Sequence, residues 1–563
     1  MIEYKRLFLS LILFACSSGD HIFAQTTDPT IPKPPPLSAG VMLDGKALNN
    51  RPERLEWLQD NGFGMFIHFS HDAQIGSVIS HSLVGASEDY TRWFFDELPK
   101  TFNPKHLDVD EIAALAKICG MKYVVLTTKH HSGFCLWDTD TTSFKITETP
   151  YGEDIVKDYV AALRKHGLAV GVYISPEDFY WADQHGYPIR RRNLPFDPDH
   201  LPEFVEFTKA QMTELFSRYG KIDMLFIDGE GAIPVKQTAW SLQPDCLITR
   251  GAITTPEQYV PGRAPEGVWE SNLTMGTQWS YKPTNDNYKS GGRIIELLIE
   301  TRCKGGALML NIGPKPDGRV PQQQEDRLRE VALWRAVNNE AIFNVRPWVV
   351  TNEENIWFSK SKDGNAVYVY LTRIPDWKRG DRKEFSLQSV QATEQTKISV
   401  LGQNDLVVEY APDKDPKSTF DQTNAGLNIS VVRAQRLYNN HKWPNPVVVK
   451  LENVQPAFQT PPYAQTLPAI TAAGDSIELA GKLLELGDAK EVEVGFEYQV
   501  YGGFAEAMYN IEWTQTKFKS MTTAGKFSAR ATDLKPKTDY QFRAVVKHPK
   551  ITVRGDHLQT RTK

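Results

Sequence analysis

The stretch Lys221–Glu230, "KIDMLFIDGE", joins a short apolar run to an acid followed by a glycine. A continuous apolar run of this length, bounded by polar residues, is typical of a strand buried on both faces. Such strands belong to parallel sheets, and barrel proteins of that kind gather their functional side chains at the carboxyl ends of the strands. Asp228 therefore stands where we expect a functional group.

Six further runs between about residues 62 and 313 resemble this one and alternate with amphipathic helical stretches. They are "FGMFIHF", "MKYVVLTTK", "LAVGVYIS", "DCLITRG", "GVWESNL" and "ALMLNIG". Seven strands, with an eighth unassigned, favour a (β/α)₈ barrel over an open sheet. The interval from Cys246 to Trp269 is too short for a full helix with its loops, so we expect an irregular barrel there.

Three of the helical stretches stop at a glycine just before a strand. These glycines are Gly120, Gly167 and Gly220, and the first of the helices starts with Asp108 in the cap position. A glycine after the last helical turn is what a helix-to-strand connection needs, because it adopts the left-handed conformation without strain.

The pattern changes to strands and turns after the helix that ends near Phe343. We expect an α/β chain in which an irregular (β/α)₈ barrel is followed by a β-sandwich and a C-terminal fibronectin type III-like β-domain. The predicted boundaries are a signal peptide at 1–24, a proline-rich linker at 25–38, a catalytic domain at 39–345, a sandwich at 346–455 and the last module at 463–563.

The N-terminus predicts export. Lys5 and Arg6 precede an apolar run that is too short to span a membrane, which is the layout of a secretory signal. Cleavage after Ala24 is the favoured end, and lipidation of Cys16 as an anchor is the alternative. The expected location is periplasmic, cell-surface or extracellular.

Net charge and cysteine content argue against a nucleic-acid-binding protein and against a zinc-cage protein. A net charge of −5 over 563 residues argues against a nucleic-acid partner held by bulk charge. Beyond Cys16 only four cysteines remain, and no CxxC pair suggests a zinc cage.

The strand ends supply polar side chains that would face one mouth of the barrel. They are His68, Lys129, His130, His131, Tyr173, Glu177, Asp228, Arg250 and Glu270. Asp228 and Glu270 are the carboxylates of interest, because two carboxylates at one mouth can serve as nucleophile and general acid/base.

A metal site built from the histidines and Asp228 is a rival interpretation. The candidates would be His68, His71, His130, His131 and Asp228. Adjacent histidines point to opposite sides of an ideal strand, and the chain contains no HxH or HExxH. We therefore expect no metal ion at these side chains, and histidines that bind a hydroxyl-rich ligand.

Several ordered blocks resemble the family 29 α-L-fucosidases. They are "WLQDNGFGMFIHFS", "LAKICGMKYVVLTTKHHSGFCLWDT", "GLAVGVYISPEDFYW", "IDMLFIDGE", "VWESNLTMGTQWSY" and "CKGGALMLNIGPKPDG", within about residues 50–345. The resemblance implies a retaining exo-glycosidase with a (β/α)₈-like domain, a following β-sandwich and no cofactor.

Carried over by position, the resemblance implies roles for individual residues. Asp228 matches the nucleophile and Glu270 the acid/base, with Glu257, Glu266 and Glu230 as alternates. Sugar-binding positions match His68, His130, His131, Tyr173 and Trp93, and the site arginine is Arg263 or Arg250. Phe226 stands where the family has a tryptophan, and "HFS" and "HHSG" depart from the usual His-Trp-Gly and His-His-Asp-Gly.

The resulting expectation is an exo-acting α-L-fucosidase that releases terminal α-L-fucose from a fucosylated oligo- or polysaccharide with retention. Because the departures surround the sugar pocket, a modified fucose or L-galactose is an alternative substrate. A non-catalytic carbohydrate-binding protein on a decayed barrel is the alternative of another class.

Overall fold

A computed structural model describes residues 40–77, 79–424, 426–434, 445–501 and 512–563. The expected signal peptide, the linker at 25–38 and Cys16 lie outside these residues. In the part of the chain that is described, no helix is both long and apolar enough to cross a membrane.

The first half of the chain forms a curled parallel sheet after a short hairpin. The hairpin strands are β1 (Val41–Leu43) and β2 (Lys46–Leu48), and the parallel strands are β3 (Phe63–Ile67), β4 (Tyr123–Lys129), β5 (Ala169–Ile174), β6 (Met224–Ile227), β7 (Leu247–Ile248), β8 (Glu270–Thr274) and β9 (Ala307–Ile312). The strands are ordered β7-β6-β5-β4-β3-β9-β8. They are buried almost throughout, as a sheet covered on both faces requires.

Helices connect and cover these strands. They are α1 (Pro52–Asn61), α2 (Glu88–Arg92), α3 (Val109–Ile118), α4 (Ile155–Lys165), α5 (Phe179–Gln184), α6 (Pro202–Arg218), α7 (Ala232–Leu242), α8 (Gly291–Cys303) and α9 (Gln322–Asn338). Gly120, Gly167 and Gly220 follow α3, α4 and α6 with φ of 81°, 64° and 73°. Asp108 caps α3 by accepting from the backbone N–H of Glu111.

The barrel is irregular between β7 and β8, as its spacing predicted. No helix forms between residues 249 and 269, all of which are described. Residues 254–258 instead run parallel to β8, with bridges from Thr254 to Trp269 and from Glu257 to Asn272. This segment takes the place of the missing strand and brings Glu257 beside β8.

Two packed sheets form the second unit. Its strands are β10 (Val345–Glu353), β11 (Ile356–Ser361), β12 (Ala366–Leu371), β13 (Arg382–Leu387), β14 (Val390–Val400), β15 (Thr419–Thr423), β16 (Gly426–Val432) and β17 (Val447–Pro456). The sheets are ordered β10-β11-β12-β17-β14 and β13-β16-β15. Phe358, Val369 and Ile429 are among the side chains of their shared core.

A third, smaller pair of sheets follows. Its strands are β18 (Tyr463–Ala472), β19 (Ile477–Glu485), β20 (Val492–Val500), β21 (Thr514–Gln515), β22 (Lys519–Met521), β23 (Gly525–Ala531), β24 (Asp539–Lys547), β25 (Thr552–Arg554) and β26 (Leu558–Arg561). Phe496, Phe527 and Phe542 lie in its core. Ile551 belongs to this unit by sequence but packs into the core of the preceding sandwich. The whole arrangement confirms the predicted fold class.

The four cysteines of the described residues are free and buried. They are Cys119, Cys135, Cys246 and Cys303. Burial raises the pKa of the Cys119 thiol to about 12, so this thiol stays protonated and a poor nucleophile.

Candidate active site

Asp228 lies at the carboxyl edge of the parallel sheet. It directly follows β6, and its backbone N–H donates to the carbonyl of Ile174 at the end of β5 (3.1 Å). The side chain accepts from the Tyr173 hydroxyl (2.9 Å) and from Nη1 of Arg250 (3.0 Å). The aspartate is thus held in one orientation by two neighbouring strands.

Two guanidinium groups and one imidazole lie around this carboxylate. Nε2 of His131 lies 3.5 Å and Nη2 of Arg191 3.9 Å from Oδ2 of Asp228. Burial alone would raise the pKa of Asp228, but Arg250, His131 and Arg191 outweigh it and hold the pKa well below its usual range. Asp228 is therefore an ionised carboxylate, as a nucleophile must be.

Gly229 makes room for a second carboxylate beneath the first. A Cβ at this position would lie 2.8 Å from Cδ of Glu177, and the backbone has φ of 114°. Glu177 is buried, accepts from the backbone N–H of Glu230 (3.1 Å) and lies 3.2 Å from Nδ1 of His131. The glycine in "IDGE" is explained by this close approach.

Two neutral histidines lie beside Tyr173. His68 donates from Nδ1 to Oδ1 of Asn311 (2.6 Å), and burial lowers the pKa of its ring to about 3. His130 stacks on Tyr173 with ring centroids 5.3 Å apart, and burial lowers the pKa of its ring well below the usual value. Neutral imidazoles can both donate to and accept from sugar hydroxyls.

Phe226 packs between Tyr173 and Arg250. Its ring stacks on Tyr173 at 5.6 Å, and the guanidinium of Arg250 lies 4.8 Å above its centroid. The ring of Trp279 lies 4.8 Å from that of His68. These aromatic groups give the site the apolar surfaces on which sugar rings pack.

Glu257 reaches the site through the irregular segment beside β8. It accepts from Nη2 of Arg250 (2.8 Å), so Asp228 and Glu257 bind neighbouring nitrogens of one guanidinium. The Glu257 side chain is 23% exposed, so solvent and a leaving group can approach it. Sequence reasoning had named Glu257 only as an alternate.

Glu270 occupies a different place from the one expected. The interpretation that a strand ends at "VWES" was wrong, because β8 begins at Glu270. The amino ends of parallel strands lie at the edge opposite to Asp228. Glu270 is fully buried there, accepts from the Tyr123 hydroxyl (2.5 Å) and leaves Oε1 without a hydrogen bond. Its acid/base role stays a prediction.

Two further predicted residues contact other groups. Arg263 is exposed, and its guanidinium lies 3.8 Å above the ring of Tyr463 in the last module, so Arg250 and not Arg263 is the arginine at the carboxylates. Trp93 is 39% exposed and packs on Tyr90 at 5.8 Å.

The other two alternates also lie elsewhere. Glu266 is exposed on the loop before β8. Glu230 accepts from the backbone N–H groups of Asn193 (2.9 Å) and Leu194 (3.3 Å), so it anchors a loop.

Arg191 was missed by sequence reasoning. It lies on the loop between α5 and α6, donates from Nη1 to Nε2 of His81 (2.8 Å) and lies 3.9 Å from Oε2 of Glu177. The next two residues, Arg192 and Asn193, have φ of 58° and 50°, and Glu230 holds this strained turn. The run "RRR" at 190–192 was the available signal, but a charge run on a loop more often faces solvent.

The predicted alternative of a metal site meets an electrostatic obstacle. Ligand atoms of His130, His131 and Asp228 all lie within 4.8 Å of one another. Arg250 already binds Asp228, and its charge would repel a metal ion at the same carboxylate. His71 is buried among the rings of Phe94 and Phe134.

Known proteins resemble the chain in sequence and in fold. The profile of the alpha-L-fucosidase family matches residues 44–340. Plasma alpha-L-fucosidase of Rattus norvegicus is 26% identical over 63% of this chain and 84% of its own length. Tissue alpha-L-fucosidase of Homo sapiens is 28% identical over 66% and 86%. Alpha-L-fucosidase isoenzyme 1 from Paenibacillus thiaminolyticus, at 24% identity, shares the fold with a TM-score of 0.57 over 71% of this chain and 98% of its own.

Proposed function

The chain belongs to the α-L-fucosidase family, and from this premise we propose that it cleaves fucosides with retention, using Asp228 as nucleophile and Glu257 as general acid/base. Its activity is that of an α-L-fucosidase, a glycoside hydrolase acting on fucosylated glycans. The proposal concerns which residues carry the reaction and what becomes of the anomeric centre.

The shared guanidinium of Arg250 is the observation that carries the proposal. Retaining glycosidases place their two carboxyl groups about 5–5.5 Å apart, closer than inverting enzymes, which leave room for a water between them. Two carboxylates on adjacent nitrogens of one arginine favour the closer arrangement.

The surroundings of the two carboxylates divide their roles. Tyr173, Arg250 and His131 keep Asp228 ionised in spite of burial, which suits the nucleophile. The Glu257 side chain is partly exposed, so it can reach the leaving oxygen and exchange protons with solvent. The pair then provides one nucleophile and one acid.

In the first step, Asp228 forms a bond to the anomeric carbon while the bond to the leaving oxygen breaks and Glu257 donates its proton to that oxygen. Asp228 loses its charge in the resulting ester. Glu257 deprotonates a water, which attacks the anomeric carbon and releases Asp228.

The pocket around this centre is suited to the sugar hydroxyls. His68 and His130 are neutral, and both contact the ring of Tyr173. We propose that they bind fucose hydroxyls, and that Phe226 packs against an apolar face of the sugar.

The first experiment is hydrolysis of p-nitrophenyl α-L-fucopyranoside by residues 25–563, with the Asp228→Asn variant alongside. We expect activity in the parent and a loss of at least about 10³-fold in the variant, because the amide cannot form the ester. Proton NMR of the first-formed sugar should show the α anomer. An active Asp228→Asn protein or a β product would contradict the assignment. If the parent does not hydrolyse this fucoside but does hydrolyse an L-galactoside, L-galactose is the substrate sugar.

A second experiment separates Glu257 from Glu270. Glu257→Ala should lose most activity and regain it with azide, which needs no general base, whereas Glu270→Gln should retain turnover. Azide rescue of a Glu270→Ala protein, with none for Glu257→Ala, would reverse the assignment.

We also propose that the protein is exported. The proposal rests on the basic and apolar residues 5–15 and on the cleavage pattern before residue 25. Mass spectrometry of the mature protein tests it, since a start at Gln25 indicates cleavage and a lipidated Cys16 indicates an anchor.

A further inference from the structure

We infer that the C-terminal module, residues 463–563, positions the segment that carries Glu257 and thereby supports acid catalysis at a site to which the module contributes no reacting group. The inference rests on the proposed role of Glu257. It gives this module a function other than spacing the enzyme from a surface.

The module touches this segment backbone to backbone. A Cβ added at Gly262 would lie 2.4 Å from the carbonyl oxygen of Gly555, on the loop between β25 and β26. That distance is far shorter than van der Waals contact, so only glycine allows the two segments of the chain to meet here. Gly262 is five residues after Glu257.

The neighbouring residue adds polar contacts across the same boundary. The backbone N–H of Arg263 donates to Oδ1 of Asp556 (3.1 Å). Its guanidinium lies over the ring of Tyr463, at 3.8 Å, and donates to the hydroxyl of that tyrosine. Arg263, which sequence reasoning placed in the sugar pocket, therefore serves the contact between the module and the loop.

The barrel holds the other side of the segment. Nζ of Lys304, which is buried, donates to the carbonyl of Pro261 (2.6 Å), and the Ser271 hydroxyl donates to the carbonyl of Tyr259 (3.0 Å). The segment has no helix of its own, so its position depends on these contacts from both sides.

An ion-pair cluster and an apolar contact attach the module to the sandwich. Buried Glu497 accepts from Nε of Arg543 (2.7 Å) and from Nε of Arg554 (2.9 Å), and Arg554 also lies 3.5 Å from Glu354 of the sandwich. Ile551 packs in the sandwich core. The loop at Gly555 and Asp556 is therefore presented by a rigid support.

A displaced acid catalyst has a characteristic kinetic effect. General acid catalysis contributes about 10²–10⁴-fold and depends on hydrogen-bond geometry. Leaving groups that are stable anions, such as nitrophenolates, depart without a proton, whereas alkoxide leaving groups need one. Loss of the module contact should therefore slow alkyl fucosides selectively.

The test compares Gly262→Ala with the parent in the full chain, on p-nitrophenyl and methyl α-L-fucosides. We expect kcat/KM to fall at least about tenfold on the methyl fucoside and less than about threefold on the nitrophenyl one. Gly525→Ala is the matched control, because its Cβ would meet only Cε of Met521, at 3.6 Å. Equal losses on both substrates, as a reduced fraction of folded enzyme would give, would overturn the inference.

Asp556→Ala provides a gentler test if Gly262→Ala does not fold. It removes one hydrogen bond from an exposed carboxylate and should show the same selectivity in weaker form. Glu257→Gln is measured in parallel, because it tests the acid/base role of Glu257 separately from the role of the module. If Glu257→Gln shows no selectivity for leaving group, the proposed acid/base is wrong. If it does, and neither Gly262→Ala nor Asp556→Ala follows it, the module has no part in acid catalysis.

Discussion

The phenol of Tyr173 and the guanidinium of Arg250 donate hydrogen bonds to the carboxylate of Asp228, and the imidazole of His131 lies 3.5 Å from it. Arg191 adds a second guanidinium at longer range. Tyr173 and Arg250 fix the orientation of the carboxylate, and the cations keep it charged in spite of burial. A nucleophile held in this way needs little reorganisation when the sugar binds.

Arg191→Ala should shift the acid limb of the pH profile. Asp228 works as the anion, so activity is lost as the pH falls through its pKa, which Arg191 helps to depress. Without Arg191 that pKa rises, and the acid limb of kcat/KM should move to higher pH. The groups that still face Asp228 are Arg250, His131 and Tyr173, so the shift should be partial. Arg190→Ala, at an exposed neighbour, is the control and should leave the profile unchanged.

Many individual residues of the site could be predicted from the sequence. Asp228, His68, His130 and Tyr173 stand at or near strand ends, and parallel strands bring those ends together. Glu257 and Arg191 could not be found in this way, because each lies on a connection without hydrophobic periodicity. Their places depend on partners distant in sequence, such as Asn272 for Glu257 and His81 for Arg191.

Strand β8 shows how an element places a carboxyl group in a barrel interior. Glu270 is its first residue, paired with Ala307 on β9, and its side chain points toward Tyr123. The strand's position was predicted and its start was not, because the apolar "VW" before Glu270 reads as strand. Trp269 does pair with Thr254, but as an isolated bridge outside β8.

Glu270→Gln should change how stability depends on pH. Burial raises the pKa of Glu270 from 4.5 to about 7, although the hydrogen bond from Tyr123 opposes the shift. The folded state thus holds a proton that the unfolded chain releases, and the stability from this group is lost as the pH rises from about 4.5 through 7. At about 1.4 kcal/mol per pKa unit, the parent should lose about 3 kcal/mol that the variant keeps. Urea unfolding at pH 5 and pH 8 measures the difference, and parallel curves for the two proteins would contradict it.

At the scale of the whole molecule, the second and third units share a core. Ile551 is buried against the sandwich, and Lys550 donates to the carbonyl of Ala457. The change from helical to strand periodicity after Phe343 made these units predictable from sequence. The side chain that joins them was not, because one isoleucine on a loop carries no periodic pattern.

Ile551→Ala should destabilise both β units together. Truncating a buried isoleucine to alanine costs about 2–5 kcal/mol, and here the cavity would open in the sandwich core. We expect the midpoint of thermal unfolding to fall while initial activity on the nitrophenyl fucoside at 25 °C persists. Ile470→Ala is the matched control, since Ile470 is 62% exposed on β18 of the same module. Similar shifts for the two variants would contradict the shared core.

The buried thiols bear on how the enzyme can be handled. Cys119, Cys135, Cys246 and Cys303 are unpaired, and each is shielded from solvent, so the barrel requires no oxidative maturation. The catalytic unit should acquire its native state equally well in reducing and oxidising surroundings. Production in a reducing cytosol and storage with dithiothreitol should therefore leave its specific activity unaltered.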